Sequence, residues 1–338
     1  MTQPSAFEQR DDGGDRALRP RRLGEFTGQR PVVRNLELAI AAARQRGEPL
    51  DHVLLSGPPG LGKTTLAHIM AAEMDAEIRG TAGPMLEKPG DLAGILSGLR
   101  PGAVLFIDEV HALKRVVEEY LYAAMEDYRI TIQLGEGATT DVLTVTLPPF
   151  TLVAATTREG QLSAPFRARF GIRERLDLYA VDELARIISR SATLLDVDID
   201  AGGMELIAAR SRGTARNANN HLRRIRDLAQ VRYGNRIDAA VATEGLDMLG
   251  VDAVGLTELD RRILRCLAEH HRPVGLKTLA VTIGEEESTI EDVYEPYLIQ
   301  TGFIAKTPQG RCLSGRGWRH IGLEPPEEGT LGQQTSLF

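Results

Sequence analysis

Cysteine is almost absent from this 338-residue chain, which has only Cys266 and Cys312. Neither belongs to a Cys-x-x-Cys pair, so no thiolate-rich zinc site can be assembled. Two cysteines this far apart read as small buried hydrophobes in a reducing compartment, not as a disulfide framework. Apolar runs of membrane-spanning length are missing as well, and no membrane partner is expected. The opening residues, MTQPSAFEQRDDGGDRA, lack the hydrophobic core of a signal peptide and read as a polar tail, so the expected location is cytoplasmic. Positive charge is not in excess either. The 40 Lys and Arg stand against 47 Asp and Glu, a formal net charge of −7, so any contact with DNA has to come from local basic patches. No internal repeat is present.

Hydrophobic residues make up 42% of the chain, enough for substantial cores in two or three domains. From about Leu18 to Tyr179, short apolar strands alternate with amphipathic helices, as in a parallel α/β sheet. Val53–Leu55, Ala103–Ile107 and Phe150–Ala155 are the strand candidates. Each ends in a polar or glycine-rich segment, where open α/β sheets place their ligands. Arg129–Leu134 and Val142–Leu147 instead alternate apolar and polar residues around a glycine-containing loop, the pattern of a hairpin. That hairpin is a candidate contact arm, with Ile130, Ile132 and Leu134 as its apolar contacts. From Asp182 to about Val251 the chain reads as all-helical, with no convincing strand. Beyond Gly255, helical patterns begin at Asp260, Leu276 and Ser288. They are followed by two short extended segments, Phe303–Ile304 and Gly310–Leu313, and together predict a winged helix-turn-helix. The expected organisation is a flexible tail (1–17), a P-loop α/β ATPase domain of the AAA+ kind (18–180), a helical lid (181–254), a winged-helix DNA-binding domain (255–323) and a second flexible tail (324–338).

Gly57–Thr64 (GPPGLGKT) matches the P-loop pattern and directly follows a strand candidate. Glycines at 57, 60 and 62 let the backbone wrap closely around phosphates with its N–H groups inward. Lys63 then reaches the terminal phosphates and the Thr64 hydroxyl is placed for magnesium. A helix starting near Lys63 adds its positive N-terminal end. The second strand delivers two adjacent carboxylates, Asp108 for the magnesium shell and Glu109 to polarise the attacking water. The third ends in Thr156-Thr157-Arg158, where Thr157 is the candidate sensor of the terminal phosphate. In Arg167-Ala168-Arg169, one arginine is suited to reach a neighbouring subunit's ATP and stabilise developing charge. Arg169 is the choice, with Arg167 as the fallback. Arg216, in the lid, is placed to lie over the phosphates of its own subunit.

Further segments carry a resemblance. Leu18–Pro20 (LRP), Gly28-Gln29, Asp51–Leu55 (DHVLL), Glu87–Ala93 (EKPGDLA), Ala124–Asp127 (AMED), Leu147–Leu152 (LPPFTL) and Glu291–Ile299 (EDVYEPYLI) all look like signatures of one family. The last has no generic ATPase explanation. From Leu18 to Gly322 the chain resembles the RuvB family, AAA+ motors that drive branch migration of Holliday junctions. The resemblance implies ATP with Mg2+, held by Lys63, Thr64, Asp108 and Glu109 and sensed by Thr157 and Arg216. Leu18, Arg19, Phe26 and Thr27 then line the adenine pocket, and Gly57, Gly60, Leu61, Gly62, Thr65, Arg158 and Tyr179 complete the nucleotide set. It also implies a homo-hexamer in which Arg169 completes the adjacent site, a hairpin that meets the junction-binding partner RuvA, and a winged helix on branched duplex DNA. The chain departs from the family pattern at Gln133, Glu136, Ala215, Asn220 and Gln309.

Independently of the resemblance, the span from Lys306 to Arg319 has four basic residues and no acidic one. Lys306, Arg311 and Arg316 are the candidate phosphate contacts, giving affinity without sequence preference. The terminal Gln334–Phe338 (QTSLF) resembles the peptide by which bacterial proteins dock on the sliding clamp, with Leu337 and Phe338 filling a pocket and Gln334 at its rim. Two alternatives to a junction motor follow: a clamp-loader-like switch, or a clamp-recruited DNA remodelling ATPase that works without RuvA.

Overall fold

The computed structural model describes residues 17–134, 141–270 and 272–325. The chain packs as two compact units. One is built from residues up to Asp196 together with Gly213–Asn219, and the other from Val197–Arg212 together with Asn220 onward.

In the first unit, five strands form one parallel sheet: β1 (Val53–Ser56), β2 (Ile78–Ala82), β3 (Val104–Asp108), β6 (Thr151–Thr156) and β7 (Ile172–Arg175). Their order across the sheet is β2-β3-β6-β1-β7. β1 and β6 are buried along their whole length, which explains their unbroken apolar sequences, since helices cover both faces of a parallel sheet. The two strands missing from the sequence reading, β2 (IRGTA) and β7 (IRER), lie at the two edges and are only half-buried, so neither has the apolar run that marks a central strand. One face of the sheet packs Leu105, Ile107, Leu152 and Ala154 against Leu92, Leu96, Val117 and Leu121.

An antiparallel hairpin of β4 (Arg129–Leu134) and β5 (Asp141–Thr146) interrupts this alternation between β3 and β6. Its base is fixed by Ile130, which is 1% exposed and packs in the core with Met125, Leu147 and Phe150. Ile130 is therefore an anchor of the hairpin and not a partner contact. Alternation along β4 turns it to the same side as the core-bound helix that precedes the strand. Ile132 and Leu134 pair through their backbones with Leu143 and Asp141, but their side chains fall outside the described residues.

The second unit corrects the all-helical expectation for the lid. β8 (Asp198–Ile199) and β9 (Arg236–Ile237) pair in parallel between the lid helices. Two residues are too few to leave any alternation in the sequence. The winged-helix portion runs through helices Glu258–His270 and Leu276–Ile283, a third helical stretch, and the β10 (Ile304–Thr307) and β11 (Gly310–Leu313) hairpin. Its core holds Leu256, Ile263, Leu264, Leu279, Ile290, Leu298, Phe303 and Trp318. The third helical stretch is broken: Glu287–Thr289 widens into a π turn at Ile290–Tyr294 before Glu295–Gln300. Pro296 is the second residue of that last segment and has no N–H to continue the earlier ladder, so the backbone spacing has to open in front of it. Among the described residues, no helix is long and apolar enough to cross a membrane.

Candidate active site

The loop after β1 carries glycines where a Cβ does not fit. Gly57, Gly60 and Gly62 all have positive φ, at 131°, 79° and 99°. A side chain on Gly57 would lie 2.3 Å from the Leu176 carbonyl oxygen, and one on Gly60 would lie 3.0 Å from Cβ of Arg216. The glycine spacing thus lets the loop turn and also lets Thr214 and Arg216 approach it. The Arg216 N–H donates to the Gly60 carbonyl at 3.2 Å. The helix Lys63–Glu73 then starts at the loop's end and points its free N–H groups into the cleft.

One cleft collects most of the residues picked out from the sequence. Leu18, Arg19, Phe26, Thr27, Gly60, Gly62, Lys63, Thr64, Thr65, Asp108, Glu109, Tyr179 and Arg216 all line it. Four others stand behind it. Gly57 accepts the Lys63 ammonium, Leu61 is fully buried with its carbonyl accepting the Tyr179 hydroxyl at 2.8 Å, and Thr157 and Arg158 cap β6. Sequence reasoning missed Glu25, Ile187, Arg190 and Asn219, which also line the cleft. Arg190 donates to the Leu18 carbonyl at 2.6 Å and pairs with Glu25 at 3.5 Å, tying the residues before the first helix to helix Val181–Leu194. No motif marks these residues. Ile187 and Arg190 share a helix face by their spacing of three, but so do many pairs.

Charged groups of both signs line the cleft, and Lys63 is the one among them that is buried. Lys63 is 7% exposed and donates to the Gly57 and Pro58 carbonyls at 2.7 and 2.9 Å. Burial lowers its pKa to about 8; Glu109 and Asp108 oppose that shift, and Arg216 adds to it. Asp108 is pushed up, first by burial and then by the adjacent Glu109 carboxylate. Hydrogen bonding from the Glu109 N–H and the charges of Lys63 and Arg216 hold it back. Glu109 is in the left-handed region, φ 47°, an uncommon conformation for a residue with a side chain and one that marks functional turns. The backbone there leaves no room opposite: a Cβ on Gly83 would lie 2.4 Å from the Glu109 carbonyl oxygen. The Glu109 carboxylate is held by the Thr157 hydroxyl at 3.1 Å and by His111 Nδ1 at 3.2 Å. His111 Nδ1 is also 3.0 Å from the Thr156 hydroxyl.

The site fits a nucleotide with a divalent cation. The Thr64 hydroxyl and the Asp108 carboxylate open on the same cleft, and Asp108, raised in pKa first by burial and then by the adjacent Glu109 carboxylate, stands beside a second acid there. A hydroxyl and carboxylates of this kind are the oxygen donors that a hard divalent cation prefers.

The remaining candidates lie elsewhere. Arg169 caps the short helix Ala164–Ala168 and pairs with Glu126 at 3.0 Å. On the short helix Gly315–His320 that follows the β10–β11 wing, Arg316 is exposed, donates to the Thr301 carbonyl at 2.6 Å and stacks over Phe303. Lys306 is half-exposed and pairs with Glu291 at 3.1 Å. Arg311 departs from the sequence reading. It is 7% exposed and donates from Nε and Nη2, one edge of its guanidinium, to the two carboxylate oxygens of the buried Glu295, the Nη2 contact measuring 3.0 Å. A net-charge count along a strand cannot tell which residue turns inward, and Arg311 is the one that does. The terminal candidates Gln334, Leu337 and Phe338 lie outside the described residues.

Comparison with known proteins adds the family. Residues 18–176 match the model of the Holliday junction DNA helicase RuvB P-loop domain, residues 179–252 the RuvB AAA lid domain, and residues 253–322 the RuvB C-terminal winged helix domain. Among solved structures, the Thermotoga maritima RuvB Holliday junction branch migration motor is 48% identical. The match covers 92% of this chain and 100% of that one, with a TM-score of 0.85. A point mutant of the same protein is 49% identical over 91% of this chain and 100% of that one, again at 0.85.

Proposed function

The chain belongs to the RuvB family, and from that premise we propose that it hydrolyses ATP with Mg2+ as a subunit of a homo-hexameric ring that moves Holliday junctions together with a RuvA-type partner. It is a P-loop AAA+ ATPase with a lid and a winged helix, the architecture of a branch-migration motor. The working divisions we assign are 18–180, 181–254 and 255–323, and the setting is the cytoplasm.

The observation that carries the reading is the meeting of Lys63, Asp108, Glu109 and Arg216 in one cleft, with Glu109 fixed by Thr157. The P-loop N–H groups and the Lys63 ammonium bind the phosphates. Thr64 and Asp108 hold the magnesium ion, which when bound neutralises phosphate charge. Glu109 accepts a proton from the attacking water as its oxygen bonds to the terminal phosphorus and the bond to the bridging oxygen of ADP breaks. Thr157 keeps the Glu109 carboxylate turned toward β6 until the terminal phosphate competes for the hydroxyl. Arg216 reads the phosphates of its own subunit, and Arg169 stabilises charge on those of the next. Exposed Arg316, with Lys306, contacts DNA phosphates, and the outer part of the β4–β5 hairpin meets the partner.

The test is ATP-driven branch migration of a synthetic four-way junction, with and without RuvA, using Glu109→Gln as the control. Migration that depends on Glu109 and is raised by RuvA is the expected outcome. ATP turnover with no junction movement under either condition would refute the motor. No observation favours a clamp-loader-type switch over it.

A further inference from the structure

We propose that Glu126 and Tyr122 are positioning residues for Arg169, holding its guanidinium set for the ATP of an adjacent subunit. The inference rests on the reading of Arg169 as the group that completes that site.

The arginine is held on several sides. Its Nη2 meets Glu126 Oε1 at 3.0 Å, Nη1 donates to the Pro165 carbonyl at 2.9 Å, and Cζ lies 4.6 Å from the centre of the Tyr122 ring. The side chain is 23% exposed, and its Nε is buried without a hydrogen-bond partner. An arginine that only decorated a surface would not give up a solvated N–H in this way. Two of its contacts come from a single helix, Arg115–Asp127. Glu118, Tyr122 and Glu126 recur every four residues and so form one face of it. Glu118 accepts from the hydroxyls of both Tyr122 and Ser163, and Ser163 caps the helix Ala164–Ala168 by accepting the Phe166 N–H at 3.3 Å. The arginine-bearing segment is thus pinned at its start through Glu118 and at its end through Glu126.

The pinning helix is itself tied to the central sheet. His52 Nδ1 accepts the Leu152 N–H of β6 at 2.9 Å, and its Nε2 donates to the Met125 carbonyl at 3.2 Å. The residue before Glu126 is therefore held to the strand that ends at Thr156. Arg169 is a long side chain with many rotamers, and fixing it before the neighbour docks removes that freedom from the catalytic step. Glu126 is 56% exposed, so its ion pair adds little to stability and its effect is on the arginine's orientation.

An arginine finger contributes about 10³ to 10⁵ in turnover, so a finger left to wander forfeits part of that. Glu126→Gln is expected to lower kcat roughly tenfold while KM for ATP stays unchanged, because the subunit's own nucleotide contacts lie elsewhere. Tyr122→Phe keeps the ring under the guanidinium and retains most activity, whereas Tyr122→Leu follows Glu126→Gln. The decisive readout is mixing. Rings assembled from Glu126→Gln and Lys63→Ala subunits contain sites whose neighbour supplies an intact Arg169, so activity per Glu126→Gln subunit rises above that of the unmixed variant. If Arg169→Ala is rescued by Lys63→Ala but Glu126→Gln is not, the positioning role is overturned and the finger stands. If neither is rescued, the finger reading falls and the proposal falls with it. A gain in turnover for unmixed Glu126→Gln also overturns the proposal, since the carboxylate would then be a lock.

Discussion

Arg311 gives the sharpest test of where the wing's positive charge is used. Its guanidinium and the Glu295 carboxylate are 8% and 3% exposed, and Glu295 has no other partner within 3.5 Å among the described residues. Arg311→Ala therefore leaves a carboxylate in the winged-helix core with only Lys306 Nζ, at 3.9 Å, to answer it. Stranding one member of a buried ion pair costs about 3–5 kcal/mol, whereas replacing both with apolar residues of similar size is close to neutral. For a cooperative unit of this size that corresponds to a fall in Tm on the order of 10 °C. Arg311→Met combined with Glu295→Leu should recover most of it. Differential scanning calorimetry reads both. In parallel, the dependence of DNA affinity on salt gives the number of phosphates neutralised, and each lost contact lowers the slope by roughly one. The expected pattern is a large stability loss in Arg311→Ala, recovery in the double variant, and a salt slope unchanged in that double variant. An Arg311→Ala protein with normal Tm and a slope reduced by about one would refute the buried-pair argument and return Arg311 to the DNA surface.

Arg316→Ala should behave in the opposite way, with Tm close to wild type and a salt slope reduced by about one in DNA titrations, because Arg316 is exposed. Gly60→Ala places a Cβ 3.0 Å from that of Arg216 at a φ of 79°. Strain of about 1–2 kcal/mol in the left-handed loop and displacement of Arg216 should weaken ATP binding at least tenfold in calorimetric titration. An unchanged affinity would show that the loop and the Arg216 turn do not need their close approach. His221 has its pKa lowered from 6.5 to about 4, by burial and then by Arg212. Between those values the unfolded chain binds a proton that the folded chain refuses. Stability is thus fully present above pH 6.5 and falls as pH drops toward 4. Urea unfolding should show wild type losing on the order of 2 kcal/mol more than His221→Leu between pH 7 and pH 4.5.

The phosphate-binding half of the site was legible because its chemistry is local. Glycines 57, 60 and 62, Lys63 and Thr64 fall within eight residues, and a strand and a helix flank them. Asp108 and Glu109 were legible for the same reason, as adjacent residues at the end of an apolar strand. What escaped was set by packing between distant segments: Gly83 under Glu109, Arg190 on Leu18, Glu126 and Tyr122 on Arg169. The error at Arg311 and the expectation about Ile130 have one cause. In both, a side chain of suitable type was taken as outward when only the partner across the fold, Glu295 in one case and Phe150 with Met125 in the other, decides its direction.

That correction bears on how the winged helix meets DNA. In a sequence-reading helix-turn-helix, the helix after the turn enters the major groove, where neighbouring phosphates attract basic side chains. Here the corresponding stretch carries Glu285, Glu286, Glu287, Glu291 and Asp292 at least partly exposed, with Glu295 buried. Arg311 is spent on Glu295, and Lys306 is shared with Glu291. On the proposed reading this acidic stretch disfavours entry into the groove, and the phosphate contacts are those assigned to exposed Arg316, on the short helix Gly315–His320 beyond the wing, with Lys306. Contacts of that kind hold the backbone and read no bases. A branch-migration motor has to pass every sequence it meets and is served by that property, since a helix bonded to particular base edges would pause wherever it found them.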